Sequence, residues 1–174
     1  MLISAGADVN ARNDRRRTVL MEALEDGLNA GVVEMLLKSG ADIHARDEDG
    51  RTPLLCATRV LDADVLPLLL AAGADVAAQD NKGNTALLEG ASRLTAETFR
   101  MLLEAGADAG AKNRYGRTPL MNAATNAVAT RLLIEAGADV GARDGQGRIG
   151  GRLPNRSGGR CRWHGSGWTL RKAW

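Results

Sequence analysis

Two sequence markers recur along this chain with the same spacing. Gly-Ala-Asp triplets begin at Gly6, Gly40, Gly73, Gly106 and Gly137, at intervals of 34, 33, 33 and 31 residues. Threonines at Thr18, Thr52, Thr85 and Thr118 keep intervals of 34, 33 and 33. A period this short leaves room for only one small supersecondary unit per repeat. Such a unit cannot bury its apolar side alone and must lean on the next, which points to a solenoid rather than a fold built around one central core.

Each unit reads the same way. In "RTPLLCATR" Thr52 is a helix N-cap and Pro53 sits at the first helical position, where its missing N–H costs nothing. Leu54, Leu55, Ala57 and Thr58 open a short helix, and a polar turn follows. "VLPLLLAAG" gives a second helix carrying Leu66, Leu69 and Leu70, stopped by Gly73 in a left-handed conformation. Pro67 fits inside it only if the helix starts near Asp64. "ADVAAQDNKG" is an extended excursion with a turn before the next threonine. Helices of about ten residues are marginal alone in water. Small residues at Ala57, Ala91 and Ala124 let neighbouring helices approach closely.

"DEDGRTPLLCA…VLPLLLAAGADV" and "NRYGRTPLMNAA…RLLIEAGADV" resemble the ankyrin repeat, and the likeness covers roughly residues 1–149. The resemblance implies an all-α solenoid of stacked helix-turn-helix pairs with β-turn fingers along one edge. It also implies a protein-binding scaffold without catalysis. The repeats are read as 13–46, 47–79, 80–112 and a shorter 113–143. A truncated remnant precedes them at 1–12, with residues 1–5 as the last turn of a helix, and an aborted opening follows at 144–148. The family usually carries His after Thr-Pro-Leu; Met21, Leu55, Leu88 and Met121 stand there and are expected to pack instead. Arg16 occupies the place of Gly50, Gly83 and Gly116. If that place needs a positive φ, Arg16 carries strain of about 1 kcal/mol.

After "DGQGR" the pattern breaks inside a unit: Ile149-Gly150-Gly151 replaces the expected Thr-Pro-Leu. Residues 1–144 hold 16 basic and 21 acidic residues, whereas 145–174 hold seven basic residues, no acid and all three tryptophans. Residues 149–174, a basic Gly/Arg/Trp segment, are expected to be disordered. A change of reading frame or gene at this point is the preferred account, and an evolved basic tail the competing one. Cys56 and Cys161 are too few for a disulfide framework and read as free thiols in a reducing compartment. No targeting signal is seen, so the default location is cytoplasmic.

Catalytic, cofactor and metal sites are not expected. Gly145-x-Gly147-x-x-Gly150 matches a dinucleotide fingerprint but lacks a strand before it and a helix after it. Cys161 and His164 fall short of the four ligands of a closed metal site, and two histidines do not furnish a nucleophile-base set. The aspartates Asp8, Asp42, Asp75, Asp108 and Asp139 belong to the structural Gly-Ala-Asp turn. Asn155-Arg156-Ser157 matches a glycosylation acceptor that is idle without secretion. In the family, partners meet the finger tips and the exposed side of the first helices. The residues that map there are Arg15, Arg17, Arg51, Lys82, Arg114, Tyr115 and Arg117, a basic ladder with one aromatic anchor. That ladder suits another protein with an acidic segment, bound by a monomer. The alternatives are weak nonspecific nucleic-acid association through the tail and a truncated, nonfunctional product; membrane association is not expected.

Overall fold

The computed structural model describes residues 7–27, 29–58, 63–149, 160–164 and 167–171. The helical turn expected at residues 1–5 lies outside them, as does Gly150. Among the described residues eight short helices follow in order: α1 (Val19–Glu25), α2 (Ala30–Lys38), α3 (Pro53–Ala57), α4 (Val65–Ala71), α5 (Ala86–Gly90), α6 (Ala96–Glu104), α7 (Pro119–Asn122) and α8 (Ala127–Glu135). A 3-10 turn, Ala123–Thr125, extends α7. The first helices α1, α3, α5 and α7 touch one another in that order, and α2 touches α4 as α6 touches α8. The all-α solenoid read from the period is therefore the fold of the repeats.

The caps explain where the helices start. Thr18, Thr52 and Thr85 each accept a hydrogen bond through Oγ1 from the backbone N–H three residues on, in Met21, Leu55 and Leu88. Thr118 departs: it holds the same extended backbone, but its buried hydroxyl has no partner. The second helices α2, α6 and α8 are capped by Asn29, Thr95 and Asn126. The N-cap of α4 is Asp64, so Pro67 falls in the first turn, where it breaks no helical bond.

Equivalent residues fill the core. Leu20, Leu54, Leu87 and Leu120 form one buried row, and Leu36, Leu69, Leu102 and Leu133 a second. Val33, Leu66 and Phe99 make a third, in which the only phenylalanine takes the place of an aliphatic residue. Each such side chain contributes about 1.5–3 kcal/mol by leaving water. Met21, Leu55 and Leu88 are buried as expected where the family has His, and Met121 is half-buried. Ala57 and Ala91 are buried and Ala124 half-buried.

Between each second helix and the next first helix the chain makes two turns. In the first, Asp8, Asp42, Asp75, Asp108 and Asp139 accept through Oδ1 from the N–H two residues on, at 2.7–2.9 Å. The second turn is the finger tip. There Asn13, Asp47, Asp80, Asn113 and Asp144 each accept through Oδ1 from two N–H groups, two and four residues on. The fourth residue of each finger turns left-handed. It is Gly50, Gly83, Gly116 or Gly147 at φ 71–79°, and Arg16 at φ 60°. The strain anticipated for Arg16 is thus present. The fifth finger, 144–148, forms fully, with no helix pair after it among the described residues.

The tail departs from the disorder expected of it at ten residues. Arg160–His164 (β1) and Gly167–Arg171 (β2) pair antiparallel, with Arg160 opposite Arg171 and Trp163 opposite Trp168. Both segments carry Trp, and the second a β-branched Thr, side chains that favour a pleated backbone, and Gly165-Ser166 between them is turn-forming composition. The rest of 150–174 lies outside the described residues.

Arg16→Gly should raise stability by about 1 kcal/mol by relieving the left-handed strain. Gly83→Ala should lower it by about 1–2 kcal/mol, because the same backbone would be strained and the added Cβ would lie 3.0 Å from the Arg114 nitrogen. Urea unfolding of the two variants checks both signs.

Candidate functional site

The fingers are joined edge to edge by a ladder of backbone bonds. Glu48 N–H donates to the Arg15 carbonyl (3.1 Å), Asn81 to Asp49 (2.8 Å), Arg114 to Lys82 (2.9 Å) and Gly145 to Tyr115 (2.8 Å). One bond per step holds the tip residues of successive fingers in a fixed register. The charges of the fingers therefore stand in a set order along one edge of the solenoid.

The structure divides the seven residues of the expected basic ladder. Arg15, Lys82, Arg114 and Arg117 are exposed, and none pairs with a carboxylate among the described residues. Tyr115, 60% exposed, is the most exposed large hydrophobic side chain among them. Arg17 and Arg51 differ. Their side chains are only 11% and 20% exposed, and both turn toward Glu25 at the end of α1. Arg17 is bonded to Glu25 and also lies 3.4 Å from Glu22. Arg51 approaches Glu25 at 4.0 Å and donates to the Leu55 carbonyl at 3.2 Å. These two arginines tie the first two fingers to the first helix between them.

The equivalent position in the third finger is Asn84, which is buried. Its amide donates to Asp80 Oδ2 (3.1 Å) and Glu89 Oε1 (3.0 Å), and its Oδ1 accepts from Asn113 Nδ2 (2.8 Å) in the fourth finger. This polar bridge and the Asx acceptors at the start of each finger escaped the sequence reading. The acceptors were legible as an Asn or Asp three residues before each left-handed position. The bridge was not, because it occurs once and follows no period.

A cleft of about 380 Å³ opens between the second and third fingers. Asp49, Arg51, Asp80, Lys82, Glu89 and Arg93 supply its charges. Arg93, in the turn between α5 and α6, is exposed and was not anticipated. At the far end, Asp144 Oδ2 accepts from Arg148 Nε at 2.7 Å. Burial pushes the Asp144 carboxyl up, but the N–H groups and guanidinium of Arg148, with the N–H of Gln146, outweigh it and hold it below its ordinary 3.8.

Cys56 is buried against Met21 and Ala45. Burial outweighs the pull of Arg51 and Arg17 and pushes its thiol up to about 11, so it is no nucleophile at neutral pH. Among the described residues no cluster of His, Cys, Asp or Glu could hold a metal ion, and no helix is long and apolar enough to cross a membrane.

Glu25→Ala should lower stability by about 1–2 kcal/mol, since it takes the shared carboxylate from two largely buried guanidinium groups and leaves Arg17 only Glu22 and Arg51 only the Leu55 carbonyl. Lys82→Ala and Arg117→Ala should stay within about 0.5 kcal/mol. Thermal unfolding of the three variants separates the structural cations from the available ones. Because the Asp144 carboxyl is lowered in the folded state, its contribution is complete above its ordinary 3.8 and is lost as pH falls through the lower folded value. The Gln146 and Arg148 amides should therefore keep their exchange protection below that pH. In Asp144→Asn, which retains the acceptor found at Asn13 and Asn113, the acid step should vanish.

The period, the paired helices and the fingers agree with comparison to known families. A family model of ankyrin repeats, three copies, matches residues 1–80 and 61–144. No curated protein matches the chain. The chain belongs to the ankyrin repeat family, whose members are generally protein–protein interaction modules.

Proposed function

We propose that this protein is a non-catalytic scaffold that binds another protein along its finger edge and the adjoining exposed side of its first helices. The observation that supports this reading is the row of unpaired cations beside an exposed aromatic. Lys82, Arg114 and Arg117 have no carboxylate partner among the described residues, and Tyr115 stands among them. Desolvating such groups against a partner costs little that is not returned by pairing, and a rigid Tyr is a favoured anchor. An acidic segment on the partner fits this end of the edge. Arg15 belongs to the same surface at the other end. Arg17 and Arg51 contribute by holding their fingers in place through Glu25. The binding unit is a monomer, placed in the cytoplasm. The units are taken as a remnant at 1–12, repeats at 13–46, 47–79, 80–112 and 113–143, and an opening at 144–148.

Capture of partners by the immobilised full chain, compared with Lys82→Glu/Arg114→Glu/Arg117→Glu, tests the surface. A bound protein that is lost with the triple variant, while helicity is unchanged, is the expected result. Equal capture by both would remove these residues from the interface. A chain that retains no protein specifically would remove the scaffold reading.

A further inference from the structure

The finger edge is not uniformly basic, and this goes a step past the scaffold reading on which it rests. Charges that are exposed and have no ion-pair partner among the described residues change sign from finger to finger. The second finger carries Glu48 and Asp49, since Arg51 is directed to Glu25 and Arg46 at its base donates to the Gly50 and Gln79 carbonyls. The third carries Lys82, and the fourth Arg114 and Arg117. On the fifth, Arg148 is matched by Asp144.

We infer that the edge takes an extended partner segment of opposite polarity: basic where it crosses the second finger, acidic where it crosses the third and fourth. The cleft between fingers two and three marks the change. The second finger brings Asp49 to its lining, while Asp80 and Glu89 of the third repeat are already bonded to the amide of Asn84. Lys82 and Arg93, also of the third repeat, line it as exposed cations with no carboxylate partner among the described residues. A wholly acidic segment would gain at Lys82, Arg114 and Arg117 and lose at Glu48 and Asp49, so it could occupy only half of the edge. A segment with both charges gains from the second finger to the fourth, and only one direction along the edge satisfies it. Stacked repeats are about 10 Å apart and an extended chain advances about 3.3 Å per residue, so one finger corresponds to about three residues. The basic and acidic groups of the segment are therefore about six residues apart from the second finger to the fourth.

Three synthetic peptides test this against the full chain labelled with nitrogen-15. One has a lysine pair at one end and a glutamate pair about six residues on. The second has the same composition with lysine and glutamate alternating, and the third carries glutamate in place of lysine. The first should shift the amides of Asp49, Lys82 and Arg114 and bind about fivefold tighter than either of the others, as expected for a few exposed ion pairs. In Glu48→Lys/Asp49→Lys the order should reverse, with the all-glutamate peptide binding best. If the all-glutamate peptide binds wild type at least as tightly as the first, or if the first leaves those amides unmoved, the polarity inference falls. Neither result bears on the scaffold reading, which stands or falls with the capture experiment.

Discussion

Everything in this molecule depends on one repeat leaning on the next. No described helix exceeds nine residues, and α7 has four. None of these could persist in water unaided. They persist because Leu20, Leu54, Leu87 and Leu120 form one continuous row, with parallel rows from the second helices. At the fingers one backbone hydrogen bond per step serves the same end. Apolar stacking supplies the cohesion and the ladder supplies the register. An interaction surface spread over several fingers is possible only because both hold.

The same economy explains the arginines. A finger that carries a cation just before its helix can spend it in two ways. Arg17 and Arg51 turn inward to Glu25, where partial burial makes the pair worth keeping and removal of one member costly. Arg117 occupies the equivalent place in the fourth finger but finds no acid and stays in water. In the third finger Asn84 substitutes a neutral bridge to Asp80, Glu89 and Asn113. Three solutions at one repeat position leave the first two fingers braced by charge, the third by a neutral bridge, and the Arg117 guanidinium of the fourth in water.

Much of this was legible in the chain itself. The period located the stack, the threonines located the helix starts, and the glycines located the turns. Arg16 announced a strained finger because every equivalent residue is glycine. The division of the charges into paired and unpaired was less visible. Arg15, Arg17 and Arg51 look alike in sequence, yet two of them are occupied. Glu25, which occupies them, repeats nowhere and so leaves no periodic trace. Arg93 lies outside the finger motif altogether and enters the cleft only because the turn after α5 folds beside the third finger. The tail, patternless to a helical or alternating reading, nevertheless places two five-residue strands side by side.

The sequence by itself determined the repeat, its helix boundaries and its all-α stack, because caps, left-handed turns and apolar spacing act within a few residues of one another. Only the tertiary structure decided which charges remain available, because a guanidinium's partner is whatever the neighbouring repeat brings within reach, and that depends on how the units stack rather than on their order along the chain.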